Sequence, residues 1–423
     1  MTNLLISIMF VSFAIFLLYC TKDIISPPMI LSFAWALPFI WLVAGEGIGK
    51  GGYDIGIIGF YFFFGVVVFC LGYFLQNKRI YRATEKFEIT DSRIMTPFFK
   101  LFIILEFVIT IIWLFKVYQF VMGHFQYNFW FTYKWNVSMG NFSDGTVIEY
   151  LRTAARVFSC ITFIQFLTHN HHKKDTKWFV LQLCITLILN LLGQGRGGIF
   201  SFIIPMGIIF VMMRRKSNFQ TIKIGCRVLL LLIIIFVVYA NMKTPYESAR
   251  NTPIMTTLEN YLCGAVVAFE KWVSIQNKEY GYGIYTFRFL LAIIQALGFN
   301  VKVVPMAEEY VTNINGNIGN VYTFYKWYAN DFGLIYAMLW QFIVGMIHGF
   351  ITRKTYRIRS EKWLLIYALS FYPLVMQFFM DEYITMLSSW IQVFFWIWLI
   401  LNTKLFYRAN LREESIPGGK LYV

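Results

Sequence analysis

Arginine is the residue whose placement in this chain asks for a chemical reason. Arg152 and Arg156 stand four apart where an apolar run begins, so a helix sets them on one face about 6 Å apart. Two guanidiniums that close repel each other unless an anion lies between them, and a diphosphate fits that description. The competing reading is that they snorkel to lipid headgroups. Arg196 lies in Gly193-Gln194-Gly195-Arg196-Gly197-Gly198, between two short apolar runs. No strand precedes these glycines, which excludes a dinucleotide fingerprint. A glycine-rich turn can expose N–H groups as an anion nest, and the helix that follows adds partial positive charge. The alternative is a tight hairpin with an incidental arginine. Arg250 follows the next apolar run, and Arg288 interrupts the apolar stretch Tyr285–Leu291. A guanidinium there needs a polar cavity or a carboxylate.

Activating a sugar hydroxyl would require a general base. Glu270 and Asp331 are the candidates for that role. Glu259 and Glu270 are eleven apart, roughly 16 Å along a helix, too far to act as a glycosidase-type pair. The adjacent pairs Glu308-Glu309 and Asp381-Glu382 read as solvated. No D-x-D, CxxC or metal-ligand spacing is present, so no metal or cofactor is expected. Tyr322, Tyr325 and Trp327, close to Asp331, offer ring faces and hydroxyls of the kind that bind sugars. An interfacial aromatic belt would use the same residues. Glu106 is the one acid well inside an apolar run, the usual mark of a proton path, and it keeps a transporter or flippase reading open.

These residues must be positioned by a membrane architecture. Of the 423 residues, 58% are hydrophobic, 20% aromatic and 14% charged, with mean hydropathy +0.59. That profile excludes a soluble globular enzyme. The net charge of +15 fits basic cytoplasmic links, so nucleic acid is not an expected partner. Apolar runs near 3–20, 30–45, 55–75, 98–121, 151–168, 178–192, 199–213, 224–240, 333–350, 363–379 and 386–402 predict about eleven spanning helices. The links 21–29, 76–97, 169–177, 214–223 and 351–362 and the tail from 403 hold most of the Lys and Arg, while 46–54, 122–150, 193–198 and 380–385 hold only Lys50, Lys134 and Arg196. Positive-inside bias therefore puts the N-terminus outside and the C-terminus inside.

The expected fold is an all-α polytopic membrane protein with one large extracytoplasmic loop. Helices fill 1–240, the loop is 241–332, and 333–423 holds the last helices and the tail. Within the loop, amphipathic helices are expected near 254–276 and 284–299, then an irregular turn-rich segment, Asn313–Asn320.

A Gly195-Arg196-Gly197 turn, a large late loop, and Asn320-Val321-Tyr322-Thr323 followed by Asp331-Phe332-Gly333 resemble the bacterial oligosaccharide-repeat-unit polymerases. These are the Wzy-type O-antigen and capsule polymerases, similar in architecture to the O-antigen ligases and GT-C-like in outline. The resemblance covers about 185–350. It implies glycosyl transfer at the periplasmic face of the inner membrane, with an undecaprenyl-diphosphate-linked oligosaccharide as donor and another as acceptor. It also implies membrane lipids and a chain-length regulator as partners, and functional roles for Arg196 and Arg250. A ligase would use the same chemistry on a different acceptor.

Overall fold

The computed structural model describes residues 1–44, 54–77, 87–89, 93–125, 128–168, 173–193, 196–214, 217–243, 254–275, 280–305, 311–312 and 318–409. The first four helices are α1 (Thr2–Thr21), α2 (Pro27–Ala44), α3 (Ile57–Gln76) and α4 (Pro97–Gly123). Then come a short α5 (Phe129–Ser138), α6 (Thr146–Thr168), α7 (Lys173–Leu192), α8 (Arg196–Arg214) and α9 (Asn218–Lys243). Next come α10 (Ile254–Ser274), α11 (Arg288–Ala296) and α12 (Tyr325–Phe332). The chain closes with α13 (Leu334–Ile358), α14 (Glu361–Met376) and α15 (Leu387–Asn402).

Every expected spanning run falls on a helix, but the described helices are not equally suited to lipid. Seven of them, α1, α2, α3, α4, α8, α9 and α13, are long and apolar enough to cross a membrane. α7 and α15 are shorter apolar helices. α6 carries Glu149, Arg152 and Arg156, yet fifteen of its 23 residues are buried. A helix walled by other helices can hold polar groups that a lipid-facing helix cannot. α4 shows the opposite case, with Leu101, Ile104, Leu105, Val108, Ile112 and Phe115 turned outward.

The helices form two groups. α1, α2, α3 and α13 pack together on one side, and α6, α7, α8 and α15 on the other, with α4 against α7 and α9 against α8. α14 joins them, touching α2 and α13 in the first group and α6, α8 and α15 in the second. Its centre is buried almost throughout, from Leu364 to Leu374.

Glycine lets α3 and α13 approach to backbone contact. A Cβ on Gly72 would lie 2.2 Å from the Phe342 carbonyl oxygen, and one on Gly345 2.1 Å from that of Phe69. Gly349 meets the Tyr73 carbonyl in the same way, at 2.4 Å. Small residues at such a crossing gain dispersion contact that lipid tails cannot replace.

The fold is all-helical, and two short antiparallel strand pairs accompany the helices. Arg93–Met95 pairs antiparallel with Tyr407–Ala409, tying the 76–97 link to the tail. Val311–Thr312 pairs with Ile318–Gly319, where an irregular segment was expected. Residues 313–317 between them lie outside the described set, as do Glu308 and Glu309.

Replacing Gly345 by Leu should force α3 and α13 apart and cost about 1–3 kcal/mol or more. A drop in thermal midpoint of the detergent-purified protein would report it. Gly225→Ala, on α9 with nothing within 4 Å of the added carbon, should hold or raise the midpoint.

Candidate functional site

Arg152 is buried to 1% exposure, and its guanidinium is fully engaged. Its Nη2 donates to Asp144 Oδ2 at 2.6 Å and its Nη1 to Glu149 Oε1 at 2.6 Å. Nε donates to the Leu189 carbonyl at 3.1 Å. The indole N–H of Trp113 and the hydroxyl of Tyr133 both donate to Asp144 Oδ1, and the guanidinium stacks over the Trp113 ring. Gly193 lies flat against it: a Cβ there would sit 1.9 Å from the guanidinium carbon. Lys134 donates to the Gly193 carbonyl at 2.6 Å. Two cations therefore satisfy carbonyls at the C-terminal end of α7, which fixes where the glycine turn begins.

Arg156, one turn on, meets a different environment. Its Nη1 donates to Ser201 Oγ at 2.9 Å and its Nη2 to Thr153 Oγ1 at 3.0 Å. Both acceptors are neutral. Its Nε is buried without a partner, and among the described residues it makes no ion pair. Arg152 and Arg156 thus share a helix face without sharing a ligand: one is neutralised by carboxylates, the other is not.

Arg156 lines a cavity of about 700 Å³ bounded by α6, α8, α9, α10, α14 and α15, with Leu37 of α2. Gly197 and Gly198 line it too, so the first turn of α8 opens on the cavity. N–H groups in a helix's first turn have no intrahelical partner. Leu229, Ile233, Leu258, Leu262, Val375 and Val393 make the wall largely apolar.

The cavity's polar lining includes Glu149, Ser201, Tyr261 and Ser389, together with Glu382 and Tyr372. Tyr372 donates to Glu382 Oε1 at 2.7 Å, and Trp390 Nε1 donates to the Glu382 carbonyl at 2.9 Å. Burial pushes the Glu382 carboxyl up to about 7; the Tyr372 hydrogen bond and the charge of Arg156 pull it down only in part, and Asp381 opposes them. The expectation of a solvated Asp381-Glu382 pair is corrected: the two are 2% and 7% exposed. Their backbone turns after α14 and sends them opposite ways. Asp381 accepts from Tyr328 Oη and from the Tyr383 and Thr385 N–H groups, pinning the link that presents Glu382. Burial also raises the Asp381 carboxyl above its ordinary range.

The other site candidates do not line this cavity. Asp331 is fully buried and accepts from the Tyr285 and Thr286 N–H groups at 3.2 and 2.6 Å. It anchors the turn before α11. Glu270 accepts from Ser274 Oγ on its own helix. Arg288 donates from Nε to the Val304 carbonyl at 2.6 Å. Tyr325 packs among Trp35, Tyr61, Phe62 and Phe269, and Trp327 meets Tyr285 edge-on. Tyr322 faces the Lys326 ammonium, which also lies over Trp272. These rings stack on protein. Only Val321 of that segment reaches the cavity. Arg250 and the side chain of Arg196 lie outside the described residues.

Glu106 accepts from Gln182 Nε2 at 2.8 Å in the seam between α4 and α7, away from the cavity wall. Among the described residues, no three His, Cys, Asp or Glu side chains gather to hold a metal ion. Sequence reasoning missed Glu382, Tyr372 and Ser201. The signal for Glu382 was a carboxylate in a short link on the same side as the arginines. No family model, curated protein or solved structure matches the chain.

Asp144→Ala should strand Arg152 beside one half-exposed carboxylate and cost about 3–5 kcal/mol. The thermal midpoint would fall accordingly, while Arg156→Ala, which removes a cation hydrogen-bonded only to neutral hydroxyls, should leave it within a few degrees of wild type.

Proposed function

We propose that this chain is a membrane glycosyltransferase that polymerises oligosaccharide repeat units carried on a lipid diphosphate, the undecaprenyl carrier being the one implied by its sequence resemblance. The observation behind this reading is Arg156: a guanidinium hydrogen-bonded only to neutral hydroxyls, its Nε unpartnered, in the wall of a largely apolar cavity that Glu382 also lines. A ligand complementary to that space carries negative charge at one end and hydrocarbon at the other.

The residues divide the reaction between them. Arg156, with Arg196 from the first position of α8, holds the diphosphate of the donor. Arginine stays charged where burial would discharge a lysine, and it binds phosphate oxygens bidentately. The acceptor hydroxyl attacks the anomeric carbon and loses its proton to Glu382. The bond from that carbon to the phosphate oxygen breaks, and the lipid diphosphate leaves with the electron pair. Its charge grows as the bond breaks, so a fixed guanidinium stabilises the transition state more than the ground state. No nucleotide enters this scheme, because the lipid diphosphate is already the activated donor. The apolar wall takes the first part of the lipid. In this reading the cavity faces the periplasm, the N-terminus is periplasmic and the C-terminus cytoplasmic.

Purified protein given a synthetic polyprenyl-diphosphate-linked repeat unit should make a ladder of longer products without added nucleotide. Translocation without a ladder would favour the flippase reading that Glu106 keeps open, and transfer only to a second lipid acceptor would make the chain a ligase. Arg156→Ala should lower the rate about 10²–10³-fold, with Arg156→Lys restoring little of it. Arg196→Ala should also abolish lengthening.

The pH dependence follows from Glu382. A base must be deprotonated, so the rate should rise with pH up to about 7 and level off above it. Glu382→Gln should be folded and inactive at every pH. A flat profile in the wild type would remove Glu382 as the base.

A further inference from the structure

The helix α11 is amphipathic, and it is turned the opposite way from a helix in water. Leu290, Ile293 and Ile294, with Leu297 on the turn that continues it, recur at the spacing of one helix face. All four are exposed, Leu297 to 71%, and no residue of α11 is buried. Arg288 and Gln295 occupy the other face and reach back to the chain. Arg288 Nε donates to the Val304 carbonyl at 2.6 Å, and Gln295 Nε2 to that of Val301 at 3.4 Å. A surface helix in water buries its apolar stripe and shows its polar one. Here the returning segment 301–304 takes the polar groups, and the apolar stripe is left outward.

The position of α11 says what lies outward. The turn before it is fastened to the end of α12. The Gly281 and Tyr282 N–H groups donate to the Asn330 and Asp331 carbonyls at 3.0 and 3.2 Å, and the Asp331 carboxylate accepts from the Tyr285 and Thr286 N–H groups. α12 ends at Phe332 and α13 begins at Leu334. α13 is long and apolar enough to cross a membrane, and on its first turns Ile335, at 87%, and Leu339 are exposed. The start of α11 therefore stands beside the point where a spanning helix enters the bilayer. Tyr280 and Tyr282, both exposed, flank that point, and a Cβ on Gly333 would lie 3.4 Å from Tyr280 Oη. Phenol rings favour the headgroup layer.

Nine residues make a helix about 14 Å long, too short to cross a hydrocarbon core of about 30 Å. An apolar face at the membrane boundary that cannot span is satisfied by lying in the plane. We propose that α11 is an in-plane helix docked on the lipid surface of the chain's own membrane, with Leu290, Ile293, Ile294 and Leu297 at the boundary between headgroups and acyl chains. Its side of the membrane is that of Glu382, because Asp381, the neighbour of Glu382, accepts from Tyr328 of α12. The partner is phospholipid. Docked there, α11 sets the depth of the Asp331 turn and, through it, of α12. This inference is independent of glycosyl transfer and holds whatever chemistry the Arg156 cavity performs.

The test uses the full-length protein in nanodiscs of phosphatidylethanolamine and phosphatidylglycerol. Cys20, Cys184 and Cys226, which are not buried, are replaced by alanine, and a nitroxide is attached through Leu297→Cys. Oxygen, which dissolves among acyl chains, should relax the label, and relaxation by a water-soluble nickel chelate should be lost. The depth read should be about 5–10 Å into the boundary layer. If Leu297→Cys does not fold, Ile293→Cys, on the same face, should give the same result. Strong relaxation by nickel would put the face in water and overturn the proposal. A label shielded from both reagents would mean a protein cover and overturn it equally, with dipolar broadening between labels identifying that cover as a second copy of the chain.

Discussion

Arg152 and Arg156 are one helical turn apart on the same helix, and their surroundings treat them oppositely. The first is met by two carboxylates, a carbonyl and an indole ring. The second has two neutral hydroxyls and a bare Nε. Holding a cation with neutral acceptors alone is costly in an apolar interior. Most of the second helix group can be understood as the set of contacts that makes this pairing of conditions stable. The Arg152 cluster holds α6 to the end of α7 and fixes the start of the glycine turn. That turn sets α8, and α8 supplies Ser201 to Arg156.

The link after α14 provides the other half of the site by the same kind of division. Asp381 is consumed by Tyr328 and by two N–H groups of its own turn. Glu382, its neighbour, keeps one hydrogen bond from Tyr372 and faces the cavity. In both places a saturated charged residue fixes the backbone and an adjacent, less saturated one faces the space where a ligand would sit. This arrangement spends stability on the support and leaves electrostatic capacity at the site.

The reading of aromatic residues shows where local pattern misleads. Tyr322, Tyr325 and Trp327 have the composition of a sugar platform, but α12 turns Tyr325 onto Trp35 and Phe62 and Trp327 onto Tyr285, and the Lys326 ammonium lies over the Tyr322 ring. Ring type states only that a large apolar face must be covered. Whether protein or ligand covers it depends on what else packs nearby. Asp331 follows the same rule, its lone pairs taken by the turn at Tyr285 and Thr286.

The sequence by itself determined where the apolar helices lie, because a run of apolar residues is a local property and membrane-spanning length is a property of the run. The tertiary structure decided which charges are neutralised. Arg152 finds Asp144 eight residues back and Leu189 thirty-seven ahead, Arg156 finds Ser201 forty-five ahead, and the cavity it shares with Glu382 joins residues more than two hundred positions apart. Charge compensation acts through space over a few ångströms, so chain spacing alone leaves it undetermined.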